Sequence, residues 1–168
     1  MNLVQKGITP GGVWADLGSG DGAFTLALRD LAGDSVEIYS IDKDSHRLDT
    51  QRRAFDRQFP HTNIHFIPQD FTKSLDLPPL DGVVMANSLH YVPDHVGYLK
   101  RVNDVLKPGG RLVLVEYMTD TGNPWVPYPL SFATFQGEAA KAGFSEIHIL
   151  ERIPSTYWNE MYAAIAMK

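Results

Sequence analysis

The segment "VWADLGSGDGAFTLALRDL" constrains the fold more than any other part of this chain. A short apolar run, Val13 to Leu17, leads into three glycines that alternate with Ser19 and Asp21. Phe24, Ala27, Leu28 and Leu31 then recur at helical spacing, and Gly33 supplies a stop. The order is strand, glycine loop, helix. Glycine accepts positive φ and lets a ligand touch the backbone, and a helix N-terminus offers free N–H groups to that ligand. The bland alternative is a tight turn followed by a helix-capping aspartate.

The pattern repeats along the chain. "VEIYSID" reads as strand two, ending at Asp42, and Asp44 or Ser45 caps a helix expected to run to about Phe59. "NIHFIPQD" is strand three, with its polar end at Asp70. After the breaker cluster "LPPLDG" comes strand four, "GVVMAN", apolar on both faces as a buried parallel strand should be. In "VPDHVGYLKRVNDVLKPGG" Pro93 suits the first turn of a helix, Val96, Leu99, Val102 and Leu106 form one stripe, and "KPGG" ends it. "RLVLVEY" is strand five.

The long stretch "MTDTGNPWVPYPLSF" follows, and a loop of this length is often functional. A short helix is expected from Thr134 to Ala142. "SEIHILERI" and "EMYAAIAMK" are strands separated only by "PSTYWN", too short for a crossover helix, so they should run antiparallel. The expected fold is α/β: one doubly wound domain over residues 1–168, with a mainly parallel seven-stranded sheet and an antiparallel C-terminal strand. Ligands in such sheets bind beyond the carboxyl ends of the strands, where Asp16, Asp42, Asp70 and Asn87 fall.

Composition narrows the function. With no cysteine, disulfides, thiolate metal sites and a cysteine nucleophile are excluded, and a reducing, cytoplasmic compartment is expected. No apolar run reaches the length of a signal peptide or a membrane span. The formal net charge is −5 and no lysine–arginine cluster exceeds Arg52-Arg53, which disfavours nucleic acid. His46, His61, His65, His95 and His148 show no ligand-like pairing, so no metal is expected.

Two nucleoside ligands compete for the glycine loop. Asp42 lies roughly 20 residues beyond the loop, where a carboxylate can accept from ribose hydroxyls. Gly18, Gly20 and Ala23 satisfy the loose dinucleotide fingerprint, which would imply an NAD(P)-linked oxidoreductase. Asp16 argues the other way, because a buried acid repels a pyrophosphate and suits a ligand carrying an amino group and a sulfonium.

These motifs together resemble class I S-adenosylmethionine (SAM)-dependent methyltransferases. "VWADLGSGDG" resembles their first motif, "YSIDKD" the second, "FIPQD" the third and "DGVVMANSLHYV" the fourth, with "VNDVLKPGGRLVLVEY" matching the helix and strand that follow. The nearest resemblance is to small-molecule enzymes related to the ubiquinone and menaquinone C-methyltransferases, and it implies a Rossmann-like sheet with a reversed last strand. It also implies SAM (or S-adenosylhomocysteine, SAH) as ligand. Asp16 would meet the methionine amino group, Gly18, Ser19 and Gly20 would form the loop around the methionine part, and Asp42 would hold the ribose. Lys43 and Phe71 would flank the adenine, Asp70 would accept from its amino group, and Asn87 would offer its backbone carbonyl to the ammonium.

His90 and Tyr91 are the catalytic candidates, with His90 as a base if the acceptor keeps a proton; otherwise His90 packs or caps the next helix. Trp125 and Tyr128 are candidates to cover a small-molecule acceptor, the alternative being a proline-stiffened loop on the sheet edge. Only about twelve residues precede strand one, fewer than the helical cover usual in the family. The acceptor side is therefore expected to be open, or closed by the 118–131 loop, a second copy or a partner subunit. That departure motivates a rival reading as a non-catalytic SAM-binding subunit.

Overall fold

Alternation of apolar strands with one-sided helices builds the molecule from β1 onward. The computed structural model describes residues 3–168. In chain order the elements are β1 (Val13–Leu17), α1 (Ala23–Ala32), β2 (Glu37–Asp42), α2 (Ser45–Gln58), β3 (Asn63–Pro68) and β4 (Leu80–Ala86). They continue with α3 (His95–Val105), β5 (Leu106–Tyr117), α4 (Phe132–Lys141), β6 (Ser145–Pro154) and β7 (Glu160–Met167). The strands form one seven-stranded sheet in the order β3-β2-β1-β4-β5-β7-β6. β1 to β5 pair in parallel, whereas β7 runs antiparallel to both β5 and β6.

The sheet is buried on both faces. Ala15, Leu17, Val83, Met85, Leu112 and Leu114 point to one side, where Tyr98, Leu99 and Val102 of α3 and Phe135 and Ala139 of α4 cover them. Trp14, Ile38, Val84, Val113 and Val115 point to the other, against Leu28 and Ala32 of α1. The period-two alternation along each strand supplies both layers, which is why the central stretches of β4 and β5, Val83–Ala86 and Leu112–Val115, are apolar at every position.

Several expected boundaries shift for local reasons. Asp44 rather than Ser45 caps α2, its side chain accepting from the His46 and Arg47 backbone N–H groups. Pro93 does not enter the first turn of α3, because Asp94 is the N-cap and its side chain accepts from Gly97 N–H. The α3 stripe uses Tyr98 beside Leu99 and Val102, while Val96 is only partly buried. "KPGG" lies outside the helix: Leu106 already pairs with Leu80, and Arg111 resumes pairing opposite Gly82, so residues 107–110 are an excursion within β5. α4 starts at Phe132, two residues earlier than expected, because Ser131 caps it. Residues 69–79 between β3 and β4 contain no helix.

The topology reverses direction between β1 and β4, since β2 and β3 lie to one side and β5 to the other. A cleft opens beyond the carboxyl ends of strands at such a switch point. The site is built there.

Candidate functional site

The first cavity, of about 340 Å³, lies over the ends of β1, β2 and β4. Gly18, Gly20, Asp42, Lys43, Asp70, Phe71 and Asn87 line it, joined by Arg47, Thr72, Ser88 and Tyr91. The glycines are there for space and backbone geometry. Gly18 has φ +78°, and a Cβ at that position would sit 2.6 Å from Ser88 Cβ and 2.9 Å from Phe71 Cε1. Gly20 has φ +54° and turns its N–H onto Asp42 Oδ2 at 2.8 Å. The other Asp42 oxygen accepts from Asp44 N–H at 2.9 Å. Two backbone donors thus fix the carboxylate, and each oxygen keeps a lone pair for a ligand hydroxyl.

The loop rests on a buried polar floor. Gln51 of α2 donates from Nε2 to Ser19 Oγ at 2.8 Å and to the Gly20 carbonyl at 2.6 Å. Ser40 Oγ donates to Gln51 Oε1 at 2.8 Å. Ser19 therefore turns its side chain down into the protein, away from the cavity, and only its backbone belongs to the loop surface. Gln51 was not legible in the sequence as a site residue. It looks like any polar helix position until α2 packs over the loop.

Asp16 also lies below the cavity rather than on its wall. Its carboxylate is fully buried and accepts from Thr25 Oγ1 at 2.6 Å. Burial raises its pKa to about 7, partly opposed by the Thr25 hydrogen bond and assisted by the negative charge of Asp42. At the far end, Asp70 accepts from Thr72 N–H and Oγ1 at 3.1 and 2.7 Å, with Lys73 Nζ 3.5 Å away. The Thr72 hydroxyl, followed by the Thr72 N–H and Lys73, holds its pKa below the ordinary carboxylate range against the opposing effect of burial. Asp70 thus stays an acceptor near neutral pH.

A second cavity of about 360 Å³ abuts the first, sharing Asn87 and Tyr91. Its other walls are His90, Tyr117, Asn123, Trp125, Val126 and Tyr157. Asn87 sits between the two cavities in a left-handed conformation, φ +53°, uncommon for a non-glycine residue. Its side-chain Oδ1 is buried without a partner among the described residues. Both the backbone strain and the unpartnered acceptor thus fall at the residue where the two cavities meet.

His90 is fixed by a residue the sequence reading missed. Its Nδ1 lies 2.8 Å from Glu116 Oε2, and its backbone N–H donates to Glu116 Oε1 at 3.2 Å. Both side chains are almost wholly buried. A carboxylate on Nδ1 requires the proton there, so in the neutral ring Nε2 is the bare nitrogen, and the ring lines the second cavity. The charge of Glu116 also contributes to raising the phenol pKa values of Tyr117 and Tyr162, behind burial as the main cause.

The 118–131 loop closes one side of the second cavity. Asn123 Oδ1 accepts from Trp125 N–H at 2.8 Å and Val126 N–H at 2.9 Å, and Asp120 Oδ1 takes Ser131 N–H at 2.8 Å. Trp125 faces the cavity. Tyr128 does not line it, and instead donates its backbone N–H to the His90 carbonyl at 3.0 Å, pinning the loop to the histidine turn. Among the described residues no group of histidines and acids could hold a metal, and no helix is long and apolar enough to cross a membrane.

A family model described as a methyltransferase domain matches residues 8–159, nearly the whole of this architecture. The chain belongs to this methyltransferase-domain family. Among curated relatives, it is 27% identical over 140 residues to the 2-phytyl-1,4-naphtoquinone methyltransferase of Trichormus variabilis, covering 81% of this chain and 57% of that protein. It is 30% identical over 129 residues to the demethylmenaquinone methyltransferase of Staphylococcus aureus, covering 74% of this chain and 49% of the relative. The chain thus spans about half the length of these curated relatives. The fold also matches the 1,6-didemethyltoxoflavin-N1-methyltransferase of Burkholderia thailandensis, solved with that molecule and SAH bound. The TM-score is 0.78 at 18% identity, over 99% of this chain and 74% of the other. With the family shown, the dinucleotide reading of Gly18, Gly20 and Ala23 is not favoured.

Proposed function

We propose that the chain is a SAM-dependent methyltransferase that moves a methyl group onto a small-molecule acceptor seated in the second cavity. One observation carries the reading: a nucleoside-sized cleft and an aromatic-walled cavity meet at Asn87 and Tyr91, with the His90–Glu116 pair beside the junction. The first cleft fits the donor on its own features. Backbone space at Gly18, a fixed carboxylate at Asp42 and an ionised acceptor at Asp70 suit an aminoacyl nucleoside.

SAM, when bound, supplies an electrophilic methyl group on a sulfonium. The chain's own residues place and protect it. Asp42 receives the ribose hydroxyls, Asp70 the adenine amino group, and the Lys43 stem and Phe71 ring flank the base. Gly18, Gly20 and the Ser19 backbone leave room for the methionine part, and the Asn87 carbonyl accepts from the ammonium. Asp16 acts from below the loop, through its negative charge or a water. His90 Nε2 takes the proton of the acceptor's nucleophile, and Glu116 stabilises the imidazolium that results. Tyr91 orients the acceptor at the junction, Trp125 covers it, and Tyr128 holds the covering loop in place. Positioning of this kind supplies about 7–11 kcal/mol of barrier reduction when the reacting atoms are aligned.

The names of the two curated relatives support a small-molecule acceptor. The lack of cysteine supports a reducing, cytoplasmic setting. A second copy or a partner subunit over the second cavity is part of the proposal, supported by the exposure of its aromatic rim.

Asp42→Ala is the direct test of the donor site. It should weaken SAM binding at least about tenfold by titration calorimetry, since two hydrogen bonds to a charged acceptor are lost. Unchanged affinity would remove the ribose assignment. Turnover is read as SAH release across acceptor panels; tight SAM binding without turnover on any class would favour the non-catalytic subunit.

A further inference from the structure

A single exposed apolar side chain is ordinary, but several large ones gathered at one place mark a binding surface. Three of the four most exposed ones here surround the same cavity: Trp125 at 79% exposure, Tyr157 at 77% and Tyr91 at 53%. Tyr157 belongs to the hairpin tip between β6 and β7, which in sequence reads as nothing more than a short turn. The structure carries that tip back over the acceptor side.

The tip is held there. Ser155 N–H donates to the Asn159 carbonyl at 2.9 Å, and Tyr157 N–H donates to Ser155 Oγ at 3.2 Å. Trp158 packs its ring 5.0 Å from that of Tyr117, and Tyr157 lies 6.3 Å from the same ring. Tyr117 is in turn 6.2 Å from His90, whose ring lies 4.4 Å from Tyr91. A continuous run of rings therefore leads from the hairpin tip to the bare nitrogen of His90. The Asn123 turn presents Trp125 to the same cavity.

Among the described residues, the lining contains no lysine, arginine, aspartate or glutamate. Its polar groups are hydroxyls, amides and one imidazole, none of which carries a fixed charge to answer an anionic acceptor. Aromatic walls favour a flat π-surface, through offset or edge contacts at ring separations of about 4.5–7 Å. A full positive charge would also suit such walls, but it would lie beside His90, which must itself become positive as it takes a proton.

Resting on the methyltransferase reading, we infer that Tyr157 of the β6–β7 hairpin and Trp125 of the 118–131 loop clamp a flat, uncharged aromatic acceptor. Tyr157 is thus a specificity-determining residue. Its role is contact through the ring face, so the ring and not the hydroxyl matters. Because both residues are exposed, replacing them leaves the core untouched.

The test uses the full chain saturated with SAH, and three probes read by calorimetry or saturation-transfer NMR: 2-naphthol, decahydro-2-naphthol and tetramethylammonium. 2-Naphthol should bind at least about tenfold more tightly than its non-planar counterpart, and tetramethylammonium should not compete with it. Tyr157→Ala and Trp125→Ala should each weaken 2-naphthol about fivefold or more, Tyr157→Phe should not, and SAH affinity should stay constant throughout. Equal binding of the two naphthol skeletons, a preference for the cation, or an unaltered 2-naphthol affinity in Tyr157→Ala would overturn the clamp while leaving the donor site standing. Failure of the wild-type chain to bind SAH would overturn the donor reading itself and this inference with it.

Discussion

Replacing Glu116 with glutamine is expected to lower kcat by about 10²–10⁴-fold while leaving SAM affinity within about twofold. Glu116 touches His90 through two hydrogen bonds, at 2.8 and 3.2 Å, and does not line the donor cleft. Its carboxylate holds the ring proton on Nδ1. A carboxamide of the same shape can donate to Nδ1 instead, which moves the ring proton to Nε2 and leaves no base facing the acceptor. It also removes the negative charge that stabilises the imidazolium. Thermal melting separates this role from a packing role. Glu116→Gln should melt close to the wild type while losing turnover, whereas a loosened core would lower the melting temperature and SAM affinity along with activity. A variant with wild-type kcat would show that the acceptor's proton leaves by another route.

The second large effect concerns Asp16. Its pKa is raised from 3.8 to about 7 in the folded protein, mainly by burial. A carboxyl whose pKa rises on folding binds its proton more tightly in the folded state. The stability it contributes is therefore fully present below about pH 4 and is lost as pH climbs through about 7. In the ligand-free chain, Asp16→Asn should remove this loss. Its melting temperature should exceed that of the wild type at about pH 8 and converge on it towards about pH 4, a difference on the order of a few kcal/mol in stability. SAH should reverse the ranking near pH 8, because an ammonium above the loop favours the ionised carboxylate and has no such partner in the asparagine variant. Parallel melting curves for both proteins from about pH 5 to pH 8 would show that Asp16 is already ionised in the fold.

A buried Asp16 carboxyl pushed up to about 7 refines what its position in "ADLGSG" implies. Spacing places an acid below the glycine loop, and the charge logic of a cationic ligand follows from that. The direction of the side chain does not. It turns inward to Thr25, a residue on the first turn of α1 whose hydroxyl is invisible as a partner until the helix packs against β1.

Other parts of the fold were open to reading for equally local reasons. β1 runs from Val13 to Leu17 as its apolar pattern predicts, and the short connection after β6 forces the antiparallel pairing with β7. Asp42 could be found because strand end and loop spacing fix it relative to Gly20. Glu116 could not. It stands in "RLVLVEY" as one polar residue near the end of a buried strand, and only the parallel pairing of β4 with β5 brings it beneath His90. Tyr157 was hidden differently, because a hairpin's sequence predicts its turn and says nothing about which face of the sheet its tip will overhang.

The central claim is that the glycine loop and Asp42 hold SAM rather than a dinucleotide. Titration calorimetry of the wild-type chain with SAH and then with NAD tests it most directly. The structure predicts one-to-one binding of SAH that Asp42→Ala weakens at least about tenfold, and no heat with NAD. Saturable binding of NAD with no response to SAH would contradict it.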